Sequence, residues 1–402
     1  MDHNMNNSDQ KIEKEFDEYM LAEALEYRDM WIRRIILIIS IILTCVLAVF
    51  VFKMDNKGPI NQNQQFEASP NDFLIINLIN EEGILVNPAI IEYLKTDLSD
   101  EKNAGAIPSR FLTQDERLDR QIAVGIHLST KNTSALYYKI DLADNSEFNS
   151  AEVFYAYTEG VYEFDHLYAN TQYFYRVTAY TRNGVDFKTG SFTTADTPRV
   201  LSIDGLYNVR DIGNWMTESG KRIKQGLLIR GTEMDGAVEG NYHLTNEGLK
   251  DMLDIFGIKT DMDLRTKKTG MMDALGSRVE HKYYDMVMYS GIFTEKGKEK
   301  IREVFADLAN PNNYPIYMHC TYGCDRTGTV CYLLEALLGV SAEDCLKEYG
   351  LSNMKISNIK NVENGLQSYE GDTLKEQTES YLISCGVTEL QIQSIRNIFL
   401  GD

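Results

Sequence analysis

The stretch Tyr314-Pro-Ile-Tyr-Met-His-Cys-Thr-Tyr-Gly-Cys-Asp-Arg-Thr-Gly328 constrains the fold more than any other part of the chain. Ile316 to Met318 reads as a short buried strand that stops at Cys320. A tight loop follows. An apolar helix is then expected from about Thr327, carrying Val330, Leu333, Leu334, Leu337 and Leu338. Cys320 and Arg326 bracket the loop, and Gly323 lies between them.

This spacing has a chemical reading. A short segment between Cys and Arg can curl so that successive backbone N–H groups point into one hollow, a nest for a tetrahedral anion. The N-terminus of the following helix adds free N–H groups and a positive end. Arg326 can close the ring with a two-pronged grip on phosphate oxygens. The same field acts on sulfur. Cysteines at helix N-termini or beside cations have pKa values of about 3.5–7.5 rather than about 8.5. Cys320 is therefore expected as a thiolate aimed at phosphorus, giving a phosphocysteine that water later hydrolyses.

His319-Cys320-x-x-Gly323-x-Asp325-Arg326-Thr327-Gly328 resembles the signature of cysteine-dependent protein tyrosine phosphatases. More narrowly, it resembles the bacterial family whose loop reads HCxxGKDRTG. Asn208-Val-Arg210-Asp211-Ile-Gly213 resembles that family's N-x-R-D-x-G-G motif, Leu228-Ile-Arg230 its arginine-bearing strand end, and Asp263-Leu-Arg265 its D-L-R strand end. The resemblance runs over residues 198–402. It implies an α/β cysteine-phosphatase domain with a mostly parallel sheet flanked by helices. There are two departures: Cys324 stands where the family has lysine, and Asn214 where it has a second glycine. The loop so has one cation fewer, which weakens a reading toward very anionic substrates such as phosphoinositides.

On this reading Cys320 is the nucleophile and Arg326 the phosphate clamp. Thr321, Tyr322, Gly323, Cys324, Asp325 and Arg326 line the phosphate nest. The leaving oxygen of tyrosine needs a proton. The resemblance implies Asp325 as its donor, and Asp285 is the alternative. His319 is expected to orient the cysteine, and Thr327 to donate a hydroxyl hydrogen bond to it. Arg210, Asp211, Arg230, Asp263 and Arg265 read as ion pairs bracing the loop from beneath; direct contact of Arg210 or Arg230 with substrate is the sharper possibility. Cys324 could also capture an oxidised Cys320 as a disulfide, although a small residue in the place of lysine is the simpler reading. No metal and no cofactor is implied.

The chain has 402 residues, room for two or three domains. Its formal net charge of −20, from 60 acids and 40 bases, argues against a nucleic-acid partner. The six cysteines form no visible disulfide framework. Residues 1–34 read as a charged, helix-prone tail. Ile35 to Phe52 is almost wholly apolar and, at about 1.5 Å per residue, nearly crosses a hydrocarbon core of about 30 Å. It is expected as an uncleaved single-pass transmembrane anchor in the cell membrane. Arg28, Arg33 and Arg34 before it place the N-terminus in the cytoplasm and the catalytic domain outside. Residues 53–72 read as a linker.

Residues 73–195 read as an all-β sandwich. Candidate strands are Ile122–Leu128, Ala135–Ile140, Val153–Tyr157, Gln172–Tyr180 and Asp186–Thr193, with a short helix around Pro88–Leu94. Leu167-x-x-x-Thr171-x-Tyr173-x-Tyr175-Arg-Val177 resembles the sixth-strand region of a fibronectin type III domain with its tyrosine corner. Its expected role is a spacer. Asp196-Thr-Pro198 marks a hinge. Beyond it, Thr245 to Phe256 reads as a helix and Ile258 to Leu264 as a strand, an alternation that points to an α/β sheet. Lys298 to Leu308 puts Ile301, Val304, Phe305 and Leu308 on one helical face, and Ser341-x-x-Asp344 and Thr388-x-x-Gln391 read as helix starts.

The expected activity is that of a membrane-anchored protein tyrosine phosphatase, with dual specificity open, and its partner is a phosphorylated protein or peptide. A phosphoinositide or inositol-phosphate phosphatase on the same scaffold is the nearest alternative. A non-catalytic surface binding or adhesion protein is the alternative of another class.

Overall fold

The computed structural model describes residues 73–98, 120–236, 242–266, 273–352 and 356–401. The tail, apolar segment and linker expected over residues 1–72 lie outside these. Among the described residues no helix is long and apolar enough to cross a membrane. The single-pass anchor and the membrane localisation therefore find no support among the described residues.

The N-terminal domain is a sandwich of two antiparallel sheets. One holds β1 (Leu74–Ile79), β2 (Val124–Thr130) and β5 (Gly160–Phe164). The other runs in the order β4 (Glu152–Ala156), β3 (Ala135–Ala143), β6 (Gln172–Thr181), β7 (Gly184–Thr193). Its core takes alternate residues from both sheets, Leu74, Ile126 and Leu128 against Tyr138, Ile140 and Val177. The Tyr173 hydroxyl accepts from the backbone N–H of Tyr168 at 2.9 Å.

The segment after β1 does not stay with the sandwich. Helix α1 (Pro88–Leu94) starts at Asn87, whose side chain accepts from Ala89 N, with proline in the first turn. Val86 and Ile90 then pack with Val200, while Tyr93 and Leu98 join the core of the second domain. The seam between the domains is polar and buried. Arg199, 2% exposed, donates to Leu167 O at 3.0 Å, to His166 O at 2.6 Å and to Asp211 at 2.9 Å, and lies over the Tyr168 ring. Gln225 and Ala169 exchange two hydrogen bonds of 2.9 Å. The sandwich is so docked onto the second domain, not a loose spacer.

The second domain is built on a six-stranded sheet. Its order is β12 (Glu280–Tyr283), β11 (Thr260–Asp263), β13 (Ile316–His319), β10 (Leu228–Gly231), β9 (Arg210–Asp211), β8 (Arg199–Val200). The four strands from β12 to β10 are parallel, and β9 and β8 add antiparallel pairs at one edge. The expected helix at Thr245 is shorter: α2 (Asn246–Lys250) passes into a wider π-helical turn over Asp251–Ile255. Helix α3 (Glu295–Leu308) buries Ile301, Val304, Phe305 and Leu308, the face read from the sequence. Helix α4 (Asp325–Leu338) is buried at every position from Thr327 on, because α5 (Ala342–Gly350), α7 (Leu374–Ser384) and α8 (Glu389–Leu400) pack around it. Gly339, in the left-handed region at φ 89°, ends it. Helix α6 (Ile356–Leu366) completes the layer.

Candidate active site

The central strand β13 ends at His319, held between Gly231 of β10 and Asp263 of β11. Cys320 therefore leaves the sheet at its centre and is 5% exposed. The chain turns at Gly323, φ 66°, where a Cβ would lie 2.3 Å from Gly231 O. Only glycine fits there without strain. Helix α4 begins two residues later, so Asp325 and Arg326 stand in its first turn.

The backbone N–H groups of Thr321, Gly323, Cys324, Asp325, Arg326 and Thr327 donate to no backbone carbonyl among the described residues; Gly328 N is the first to do so, to Cys324 O at 2.8 Å. An array of unused donors at a helix start is an anion site in waiting. Arg326 makes no hydrogen bond or ion pair among the described residues, in contrast to the buried arginines around it.

Those arginines brace the loop. Arg230 donates to Gly323 O at 2.7 Å and to Glu348 at 2.7 Å. Arg210 donates to the other Glu348 oxygen at 2.7 Å, to the Asn208 side chain at 2.6 Å and to Ser352 at 2.9 Å. Burial works against the Glu348 charge, yet Arg210 and Arg230 hold its carboxyl below the ordinary value. Glu335 faces the same cluster from α4. Burial and the neighbouring Glu348 push its carboxyl well up. Arg210 and Arg230 thus share the Glu348 carboxylate beneath the loop. Glu348 and Glu335 carried no motif and were not legible in the sequence.

On the other flank Arg265 donates to Asp263, to Glu233 at 2.6 Å and to Asp235 at 2.9 Å. Glu233 N in turn donates to Thr321 O at 3.1 Å. Asp211 is tied to Arg199 and accepts from Gly213 N at 2.8 Å. Each of these charged residues is engaged inside the fold. Asn214, in place of the family glycine, takes φ 73° and bonds to Asp196 and to Thr197 O. Asparagine tolerates that backbone, so the turn survives the change.

The fully buried His319 faces Cys320 O with Nδ1 at 3.2 Å and Asp261 with Nε2 at 2.9 Å. The latter is an ion pair without hydrogen-bond alignment, since His319 Nε2 is otherwise unpartnered. Burial opposes the charged ring, but Asp263 and Asp261 outweigh it and raise the His319 pKa to about 9. The Thr327 hydroxyl is buried and finds no hydrogen-bond partner among the described residues, Cys320 included. Cys324 points down rather than out. Its thiol donates to Tyr322 O at 3.2 Å and accepts from Asn208 at 3.6 Å. Burial pushes it up to about 11 against the pull of Arg230.

The two candidate acids differ. Asp325 accepts from the Tyr289 hydroxyl, which is itself 2.8 Å from the Tyr349 hydroxyl. Asp285 is ion-paired with Lys296 at 2.7 Å and accepts from Thr266; these bonds, Lys296 first, hold its carboxyl below the usual range. Lys296 and Thr266 thus occupy the Asp285 carboxylate.

A parallel-centred sheet whose middle strand delivers a cysteine into a loop of unused N–H groups defines the class. Residues 201–399 match the model described as "Tyrosine phosphatase family", so the C-terminal half of the chain carries a domain of that family. A Cupriavidus necator protein named "Putative tyrosine-protein phosphatase" is 27% identical over 184 residues, 39% of this chain and 63% of that protein. The core catalytic domain of PP-IP phosphatase SIW14 from S. cerevisiae, solved in complex with citrate, aligns with 38% of this chain and 80% of its own at 14% identity and a TM-score of 0.27. A likeness that low bears no weight here.

Proposed function

We propose that the chain is a cysteine-dependent protein tyrosine phosphatase acting through a phosphocysteine. The observation that carries this is the row of unused N–H groups between a buried Cys320 and an Arg326 with no ion pair among the described residues. The Cys320 sulfur attacks phosphorus as the bond from phosphorus to the tyrosyl oxygen breaks. Asp325 gives its proton to that oxygen, and Tyr289 holds the carboxyl in place. Water then attacks phosphorus, the sulfur leaves, and Asp325 takes the proton from water. Arg326 and the N–H groups bear the charge of the equatorial oxygens throughout.

The cation count favours a single phosphate over a polyphosphorylated inositol. Arg210, Arg230 and Arg265 are matched to internal carboxylates, and Cys324 replaces a lysine. The sandwich fits a fibronectin type III-like module, on its strand order and tyrosine corner. The test is release of phosphate from p-nitrophenyl phosphate and from a phosphotyrosine peptide by the full chain. Turnover lost in Cys320→Ser, with a phosphoryl adduct on Cys320 trapped by acid quench in the wild type, supports the reading. Turnover that survives Cys320→Ser sinks it.

A further inference from the structure

The four-stranded sheet of the sandwich turns Tyr138, Ile140, Val177 and Ala179 into the core. Side chains alternate along a strand, so the residues between these point outward. Strand pairing sets them in rows across the sheet. Tyr137 stands opposite Tyr180, and Tyr180 opposite Val185. In the next row Lys139 is flanked by Tyr155 and Thr178. In the third Asp141 is flanked by Val153 and Arg176. Tyr137 and Tyr180 stack with ring centroids 4.4 Å apart, and Tyr155 tilts against Tyr137 at 6.4 Å. Tyr157 stands beside them: partial burial, then the Tyr180, Tyr155 and Tyr157 phenols, push the Tyr137 hydroxyl up. Tyr155 is 56% exposed and Tyr157 73%.

The outer face of an antiparallel sheet is ordinarily polar. Here four tyrosines occupy it, and none belongs to a core cluster. Tyrosine is the residue that protein interfaces concentrate, because its ring offers area at little cost in side-chain entropy. The charges of the face are also unlike those of the chain. The whole carries −20, yet the sole carboxylate in these three rows is Asp141, which is 2% exposed. Lys139 at 2.7 Å and Arg176 at 3.0 Å share it. Two cations against one carboxylate make the face locally basic. Resting on the phosphatase reading above, we propose that this face docks an acidic stretch of the polypeptide substrate. The tyrosine rings pack on its side chains, and Lys139 and Arg176 attract its carboxylates. An uncharged glycan would leave both cations without a use. A second copy joined through the same face would set like charge on like charge. The phosphate loop reads only the phosphate, and the sandwich reads the protein that carries it.

The test separates docking from turnover. Fluorescence anisotropy of a labelled, unphosphorylated, glutamate-rich glutamate–tyrosine copolymer is followed as the full chain is added. Wild type is expected to bind it, more weakly as salt rises. The double variant Tyr155→Ser with Tyr157→Ser, checked by thermal melts, should bind roughly 5- to 30-fold more weakly. Lys139→Gln should weaken binding too and flatten its salt dependence. With the copolymer phosphorylated, KM should rise in the same variants while kcat/KM on p-nitrophenyl phosphate stays at the wild-type value. A wild type that does not bind the copolymer overturns the docking face, as does binding unchanged in both variants. Displacement of the copolymer by neutral dextran, or a dimer in solution that the tyrosine variant abolishes, assigns the face to another occupant and overturns it as well. Face-dependent binding without hydrolysis defeats the phosphatase reading alone. Hydrolysis without face-dependent binding removes the docking face alone.

Discussion

Arg230 donates to the carbonyl oxygen of Gly323 at 2.7 Å while its other terminal nitrogen holds Glu348 at 2.7 Å. The turn of the loop is thereby fastened to a strand and, through Glu348, to a helix. Removing the carboxylate leaves two buried guanidinium groups uncompensated. Glu348→Gln is expected to cost about 3–5 kcal/mol of stability, read by urea unfolding. Glu335→Gln, a near-isostere at a carboxyl with no hydrogen-bond partner among the described residues, is expected to cost less than about 1 kcal/mol. Equal losses would mean that the charges beneath the loop are assigned wrongly.

Gly323→Ala asks for a left-handed alanine with its Cβ 2.3 Å from Gly231 O. Strain of about 1–3 kcal/mol is expected. The shift of the loop should lower p-nitrophenyl phosphate turnover on the order of 100-fold, a loss much larger than any fall in melting temperature would explain. Steady-state kinetics beside a thermal melt decides it.

Asp325→Asn is expected to slow hydrolysis of a phosphotyrosine peptide by roughly 10²- to 10⁴-fold. The loss on p-nitrophenyl phosphate, whose leaving group scarcely needs a proton, should be far smaller. Tyr289→Phe removes the donor to Asp325 and should act in the same direction, more weakly. Asp285→Asn should change both substrates less than about 2-fold, since its carboxylate is occupied by Lys296. The ratio of the two rates in each variant is the readout.

His319 makes stability depend on pH. Its folded pKa lies at about 9, above the ordinary 6.5. Its pairing with Asp263 and Asp261 therefore stabilises fully below pH 6.5 and fades as pH rises toward 9. The advantage of wild type over His319→Gln should be greatest near pH 6 and shrink through that window, on the order of 3 kcal/mol in all. Chemical unfolding at stepped pH measures it; a constant gap would refute a charged His319.

The loop was legible because its chemistry fixes its residues in order. Cys320, Gly323 and Arg326 each answer a local demand, and the strand before and helix after are written in adjacent residues. The paired arginines Arg210 and Arg230 could be read as braces, but not the carboxylate that pairs them. Glu348 comes from a helix far along the chain, and nothing near it in sequence signals the contact. In the sandwich, β5 was missed because Gly160 to Phe164 exposes Val161 and Glu163 alike, which blurs its two-residue period. Helix α1 was read at its right place but in the wrong domain, because periodicity shows a buried face and not what covers it.

Tyr93 has a consequence for how the molecule can be divided. Its side chain sits fully buried beside Gly350, where a Cβ would lie 1.9 Å from its hydroxyl. Gly350 closes the helix that carries Glu348. A fragment begun at Pro198 would keep every residue of the phosphatase motifs yet open a ring-sized hole behind that helix. It would also strip the backbone acceptors of Arg199. The smallest autonomous domain therefore reaches back past the hinge to the ring of Tyr93, and a boundary drawn from motifs is narrower than the body that folds.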